Sequence, residues 1–271
     1  MKIIVADDMF MPEDTVRFAL AADRSMNHQV IGVRQPDHLQ SLPDLSTFGL
    51  AFVDLDFRNT SAHSGLLALS ILDKAGVPAV IYAADDEDNR ALSLLAAFRF
   101  CEPHGLVSKR ASSAEIRHAV RVIESGNRMD SPLIRRYARP RGPSYIDRLL
   151  PRASELSIWR ALARFSERRA IIRAAEISFR SLDTFLNERL DVVAEISEVF
   201  HFQAPLMTPA GEGPDGTPGE ARHASRLTPM HAFAGTHRRF FDDEELKRLL
   251  TERGDIRDPS PASRRGPVRR P

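Results

Sequence analysis

The first 125 residues alternate between short apolar runs and helical patterns, and this alternation constrains the fold more than any other feature. Between five runs of strand length, apolar residues recur at three- or four-residue spacing. Strands and helices repeated in this way favour an α/β fold with a five-stranded, doubly wound parallel sheet. The predicted strands cover residues 3–5, 28–33, 50–53, 78–82 and 105–107.

Charged residues follow three of these strands where each strand ends. Asp7 and Asp8 follow the first strand, Asp54 and Asp56 the third, and Lys109 the fifth. The carboxyl ends of parallel strands meet at one edge of a sheet, so these side chains should converge there. Clustered carboxylates need a counter-charge, and Mg²⁺ with oxygen ligands would supply it. The pattern predicts a site that binds a divalent cation and accepts a phosphoryl group, with the lysine contacting its oxygens.

The strings VADD, VDLD and GLVSK carry these residues, and together they resemble the receiver domain of two-component response regulators over residues 1–125. The resemblance implies a flavodoxin-like sheet and a sensor histidine kinase as partner. It implies that Asp54 accepts the phosphoryl group, that Lys109 contacts it, and that Asp7, Asp8 and Asp54 hold the metal. By this resemblance the chain is a response regulator in phosphorelay signal transduction.

Two positions depart from the receiver pattern. The fourth strand ends in Ala83, where the family has a serine or threonine whose hydroxyl bonds the phosphoryl group. The fifth strand has Leu106 where the family has an aromatic residue. A missing charge-assisted hydrogen bond costs the phosphorylated form about 1.5–3 kcal/mol. We therefore expect an atypical receiver that is weakly phosphorylated or responds to another input.

An alternative for the same segment is enzymatic. Asp54 and Asp56 also resemble the nucleophile and acid pair of haloacid-dehalogenase-type phosphatases, although Arg58 stands where that family has threonine. This alternative does not explain the acidic pair after the first strand. We expect a protein that does not turn over a substrate, with the phosphatase as a second alternative.

The second half of the chain differs in charge and pattern. Residues 1–125 hold 12 Lys or Arg against 17 Asp or Glu (net −5), whereas residues 126–271 hold 26 against 20 (net +6). Basic surfaces favour polyanionic partners. We interpret residues 126–150 as a basic linker and 151–202 as a small all-α domain. Its string RRAIIRAAEISFRSLDTFLNERLDVVAEI resembles a helix-turn-helix DNA-binding domain, either NarL/LuxR-type or Xre-like.

Within this string, Ser178 is a good N-cap for the second helix, and Leu190–Phe200 is expected to form a further helix behind it. The predicted DNA contacts are of two kinds, to bases from the second helix and to phosphates from the first. The base-contacting set is Phe179, Arg180, Ser181, Thr184 and Asn187, and the phosphate-contacting set is Arg168, Arg169 and Arg173. Glu176 in the turn disfavours DNA, so a receiver-like adaptor that binds only protein remains an alternative.

Residues 203–271 have the composition of a tail without a packed core. Residues 201–271 hold 9 of the 18 prolines and 7 of the 14 glycines. We predict that this tail is mostly disordered, with a short helix near residues 241–252.

The whole composition sets the broad class. Apolar residues make up 42%, no apolar run reaches the roughly 20 residues that span a membrane, and Cys101 is the single cysteine. Two acids within the first eight residues do not fit a signal peptide. The sequence thus predicts a cytoplasmic, homodimeric transcription regulator that binds DNA and no membrane.

Overall fold

The computed structural model describes residues 1–22, 27–57, 64–84, 90–138, 143–202 and 218–257. Five parallel strands form one sheet in the order β2-β1-β3-β4-β5. This order places β1 and β3 side by side at the centre. The strands are β1 Lys2–Ala6, β2 Gln29–Val33, β3 Phe48–Val53, β4 Ala79–Ala83 and β5 Gly105–Ser108. The predicted five-stranded doubly wound sheet is confirmed.

Helices cover both faces of the sheet because the central strands are apolar on both sides. Ile3 and Val5 pack towards one face, with α1 Met11–Ala21 and α4 Ser113–Glu124. Ile4 and Ala6 pack towards the other, with α2 Gly65–Lys74 and α3 Ala91–Phe100. The sequence predicts a helix over residues 86–98. Its start lies outside the described residues, since 85–89 are not among them, and the described part begins at Ala91.

Local capping fixes where two of these helices begin. Ser64 accepts a hydrogen bond from the Leu66 backbone N–H, and Ser112 forms a capping box with Glu115. Gly65 is needed for close packing, because a Cβ at this position would overlap the carbonyl oxygen of Asp54. The start of α2 therefore lies directly against the end of β3.

The predicted basic linker, residues 126–150, contains two short helices. These are α5 Pro132–Tyr137 and α6 Tyr145–Leu149, and residues 139–142 between them lie outside the described residues. Ile134, Ile146 and Leu149 are buried in the core that also contains α2 and α3. This segment packs because its apolar residues recur at helical spacing and meet α3.

Residues 151–202 are helical, as predicted. The helices are α7 Leu156–Leu162, α8 Arg168–Ala175 and α9 Phe179–Phe200, with Ser178 capping α9 by accepting from the Ser181 N–H. One expectation is corrected: Leu190–Phe200 is not a separate helix but the second half of α9, which runs for 22 residues. Leu190, Val193 and Ile196 continue the spacing of Leu182 and Leu186, so nothing in this stretch ends the helix.

The tail also differs from expectation. Residues 218–257 form α10 Pro218–Thr236, α11 Arg238–Asp242 and α12 Glu244–Arg257, and the helix predicted near 241–252 lies within the last two. Met230, Phe233 and Phe241 are buried, and Phe241 stacks on Trp159 of α7 with ring centroids 4.7 Å apart. Composition predicts disorder for most of this segment, but its few apolar residues find partners on α7 and α9. Residues 203–217 and 258–271 lie outside the described residues.

Within the described ranges, none of the helices combines the length and the apolar character needed to cross a lipid bilayer.

Candidate functional site

The predicted charged residues converge at one edge of the sheet. Lys109 Nζ lies 2.6 Å from Asp7 Oδ2 and 2.8 Å from Asp54 Oδ2. Asp7 and Asp54 are 1% and 2% exposed in their side chains, and Asp8 beside them is half-buried. The parallel register aligns Ala6 with Val53, so the residues that follow them meet. The geometry therefore brings together Asp7, Asp8, Asp54 and Lys109.

Asp54 is held by two cations and one backbone donor. Its Oδ2 accepts from Lys109, while its Oδ1 accepts from the Leu55 N–H at 2.8 Å and from Arg90 Nη1 at 3.2 Å. Burial raises the pKa of the Asp54 carboxyl to about 6, against the lowering effect of Arg90 and Lys109. Burial alone would lower the pKa of Lys109, but Asp54 and Asp7 outweigh it and raise that pKa. At pH 7 Asp54 and Lys109 therefore form an ion pair.

The acid cluster fits a divalent cation. Asp7, Asp8 and Asp54 each offer a carboxylate oxygen, and these three oxygens lie within 4.8 Å of one another. Asp7 Oδ2 is buried and, among the described residues, has no hydrogen-bond donor in good alignment despite the nearby Lys109 ammonium. Carboxylate oxygens are the preferred ligands of Mg²⁺. The residues present would hold Mg²⁺ through these three acids.

Arg90 is a site residue that the sequence reasoning missed. It lies at the N-terminal end of α3 and is 11% exposed in its side chain. The two departures from the receiver pattern lie close by: Ala83 is buried at the end of β4 and offers no hydroxyl, and Leu106 is buried in β5. A lone arginine after an acidic stretch carries no sequence signal, because only the fold brings it to Asp54.

Asp56 lies apart from this acid cluster. It is half-buried, and one of its oxygens is 3.9 Å from Arg239 of α11. Among the described residues, the group of acids placed to share a metal contains Asp54 but not Asp56. A phosphatase with Asp54 as nucleophile and Asp56 as acid would need both side chains to face one substrate, and this arrangement does not favour it.

The second candidate surface is the outer face of α8 and α9. Leu182, Phe185 and Leu186 are buried, as expected for the core side of α9. In the turn before α9, Glu176 adopts the left-handed backbone conformation (φ 55°). Glycine adopts this conformation at lower cost than other residues and is therefore common in such turns. Seven of the eight predicted DNA-contacting residues are exposed, namely Arg169, Arg173, Phe179, Arg180, Ser181, Thr184 and Asn187.

Two members of the predicted set already have protein partners. Arg168 is half-buried and forms an ion pair with Asp183 across α8 and α9. Asn187 accepts a hydrogen bond from Arg226 of α10. A groove of about 990 Å³ runs beside Arg180 and is lined by the acids Glu155, Glu188 and Asp191 among others. The groove is therefore of mixed charge, since Arg148, Arg152 and Arg189 line it as well.

Comparisons with known proteins give structural neighbours only. No protein-family model matches the sequence, and no curated protein matches it. Among solved structures, the RcsB response regulator of Salmonella typhimurium is similar, with 16% identity over 73% of this chain and 93% of that chain, and a TM-score of 0.48.

Two further solved structures are similar at the same level. The response regulator ChrA of a heme-sensing two-component system has 17% identity over 84% of this chain and 98% of that chain, with a TM-score of 0.41. A LuxR-family response regulator from Aurantimonas sp. SI85-9A1 has 21% identity over 51% of this chain and 94% of that chain, with a TM-score of 0.39.

Proposed function

We propose that this chain is a response regulator in which an atypical receiver-like domain controls DNA binding by the α8–α9 helix-turn-helix, and thereby transcription. The observation that carries the proposal is the cluster of Asp7, Asp8, Asp54 and Lys109 at the carboxyl edge of the sheet. Lys109 Nζ lies 2.6 Å from an oxygen of Asp7 and 2.8 Å from an oxygen of Asp54. A sensor histidine kinase would be the phosphoryl donor, and a homodimer would place two reading helices on paired half-sites.

The residues of the site have distinct roles in this proposal. Asp54 is the phospho-acceptor, Lys109 contacts the phosphoryl oxygens, and Asp7 and Asp8 hold the metal together with Asp54. When bound, Mg²⁺ supplies positive charge that offsets the phosphoryl oxygens. Ala83 donates no hydrogen bond to such a group, so the phosphorylated form is weakly stabilised and another input can act in its place.

DNA contact is assigned to the exposed cations and to the start of α9. Arg169 and Arg173 on α8 face solvent and suit phosphates, which position a protein without specifying sequence. Arg180 suits guanine, Asn187 adenine, and Phe179, which is 53% exposed, suits a thymine methyl group. Ser181 and Thr184 lie on the same exposed face and suit either kind of contact.

A salt titration of binding to mixed-sequence duplex DNA tests the DNA-binding part. We expect affinity to fall steeply with salt, and the slope of log K against log[salt] to lose about two units in the Arg169→Ala, Arg173→Ala double variant. The matched control is Arg121→Ala with Arg128→Ala, which removes two exposed cations near the sheet. This control should lose less than about half as much slope.

A receiver-like adaptor that binds protein rather than DNA is the second candidate. The acids Glu188 and Asp191 along α9, with Glu176 in the turn, favour it because they repel DNA phosphates. The same titration separates the two functions. An adaptor shows no measurable DNA binding at moderate salt, in the wild type or in either double variant.

A further inference from the structure

Arg90 occupies a place where an isolated cation is disfavoured. It is the N-cap residue of α3, and the N-terminus of a helix carries positive partial charge. Its side chain is also largely removed from water. The Asp54 carboxylate, 3.2 Å from Arg90 Nη1, contributes to offsetting both costs. The guanidinium is thus held at the site by the same acid that we assign as phospho-acceptor.

The contacts of Asp54 leave neither of its oxygens without a cation. Lys109 Nζ contacts Asp54 Oδ2 at 2.8 Å and Asp7 Oδ2 at 2.6 Å, so it bridges the two acids. Arg90 Nη1 contacts Asp54 Oδ1 at the longer distance of 3.2 Å. A divalent cation held by Asp7, Asp8 and Asp54 needs an oxygen of Asp54 and adds positive charge beside both side chains. Arg90 makes the longer contact with Asp54, and Coulombic attraction weakens with distance. Arg90 is therefore the cation that is displaced more easily from Asp54.

We propose that Arg90 is a displaceable counterion of Asp54 that competes with a divalent cation for this carboxylate, so that cation binding moves the start of α3. This inference rests on the proposed function in one respect, namely that the acid site binds a metal. Beyond the proposed function, it identifies Arg90 as the residue that opposes cation binding and α3 as the helix that moves when the cation binds.

Helix α3 connects this event to the C-terminal helices. Arg99 near its end donates to Asp147 of α6 at 2.9 Å, and Leu149 of α6 accepts from the Trp159 indole N–H at 3.3 Å. Trp159 is the single tryptophan of the chain and is fully buried against Phe241 and Phe185. Its fluorescence therefore reports on the helices that carry the predicted DNA contacts.

The first test is the affinity of the full chain for Mg²⁺ alone, measured by calorimetric titration. Arg90→Gln should bind Mg²⁺ about tenfold more tightly than the wild type, because the competing charge is gone. Arg90→Lys, which keeps the charge, should stay close to the wild type. The matched control Arg110→Gln removes an exposed cation next to Lys109 and should change the affinity less than about threefold, since exposed charges are screened.

The second test follows Trp159 fluorescence during the same titration. The wild type should show a change that saturates with Mg²⁺. Arg99→Gln should keep the Mg²⁺ affinity and lose most of the fluorescence change, because it removes the Arg99–Asp147 ion pair between α3 and α6 and leaves the acid site intact. Arg90→Gln should bind Mg²⁺ with a smaller fluorescence change, since no arginine remains to be displaced.

Equal or weaker Mg²⁺ binding by Arg90→Gln would overturn the inference and leave the proposed function standing. Absence of Mg²⁺ binding by both proteins would overturn the inference together with the metal-binding part of the proposed function. DNA binding is scored separately by the salt titration above. Circular dichroism of each variant establishes that it is folded, and Arg90→Lys provides the comparison if Arg90→Gln does not fold.

Discussion

The acid site at the sheet edge is rich in carboxylates, whereas the outer surface of α8 and α9 is rich in arginines. The larger difference between these two regions is burial. At the acid site, Asp7 and Asp54 are almost fully buried, and Lys109 lies within 2.8 Å of both. On the α8–α9 surface, Arg169, Arg173 and Arg180 are exposed. Each of these arginines faces solvent, and acids such as Glu176 and Glu188 stand among them.

This difference determines how each region responds to change. Charges in a partly buried cluster interact strongly, so the removal of one leaves its partner unpaired in a medium that solvates it poorly. Charges on an exposed surface are screened by salt, and each contributes little by itself. We therefore expect single substitutions to change stability at the acid site and DNA affinity at the α8–α9 surface.

The largest effect is expected for Lys109→Met. This change keeps the length and apolar stem of the side chain but leaves Asp7 without its cation and Asp54 with Arg90 alone. We expect the free energy of unfolding to fall by about 3 kcal/mol, as for other buried ion pairs that lose one partner. Urea denaturation followed by Trp159 fluorescence measures it.

Arg110→Met is the matched control for this prediction. Arg110 directly follows Lys109 in the chain but is exposed, so its loss should change stability by no more than about 0.5 kcal/mol. Similar losses for the two variants would contradict the contrast between buried and exposed charge.

The comparison can also be tested with a buried group outside the acid site. His237, before α11, is 2% exposed and lies between Phe202 and Phe233, with each ring centroid 4.6 Å away. Among the described residues, neither of its ring nitrogens has a hydrogen-bond partner. Burial lowers the pKa of His237 to about 4. Burial is the cause of this shift, whereas at Asp54 the cations Arg90 and Lys109 act against the effect of burial.

Opposite pH dependences follow from these two groups. The unfolded chain binds a proton at His237 near pH 6.5 and the folded chain only near pH 4, so His237 removes stability as pH falls through this window. Asp54 has a raised pKa of about 6, so it adds stability as pH falls from about 6 towards 3.8. His237→Phe isolates the histidine contribution.

We expect the wild type to lose about 2 kcal/mol more stability than His237→Phe between pH 7 and pH 5. Denaturation curves at the two pH values give the difference directly. An equal loss in both proteins would mean that the His237 ring takes up its proton as readily in the folded chain as in the unfolded chain, so that burial does not lower its pKa.

The acid site was largely predictable from the sequence, and the reason is geometric. Asp7, Asp54 and Lys109 each follow an apolar strand, and parallel strands bring their ends to one edge whatever the loops do. Arg90 was not predictable, because its position depends on the path of the chain between β4 and α3. Strand ends are fixed by the sheet, whereas loop residues are fixed by contacts that only the fold supplies.

The C-terminal half shows the limits of composition. The start of α9 followed from Ser178, a local capping signal. The packing of α10 and α11 did not follow, because a few apolar residues such as Phe233 and Phe241 become a core only against Trp159. Composition predicts disorder for a segment rich in proline and glycine, because it takes no account of partners such as Trp159 that lie more than 70 residues away in the chain.

The smallest effect is expected at the half-buried ion pair between Arg168 of α8 and Asp183 of α9. Asp183→Asn should release the Arg168 guanidinium, one of whose nitrogens is buried without a hydrogen-bond partner among the described residues. A freed arginine at α8 can reach a DNA phosphate. We expect the affinity for duplex DNA to rise about threefold and the salt slope to steepen by about one unit.

Glu198→Gln serves as the control, because it removes an exposed acid from the far end of α9. This variant should alter DNA affinity through general charge alone and leave the salt slope within about half a unit of the wild type. If Asp183→Asn behaves like Glu198→Gln, Arg168 is a structural residue that joins α8 to α9. In that case the phosphate contacts of this surface come from the exposed arginines, Arg169 and Arg173, because the half-buried Arg168 contacts α9 rather than DNA.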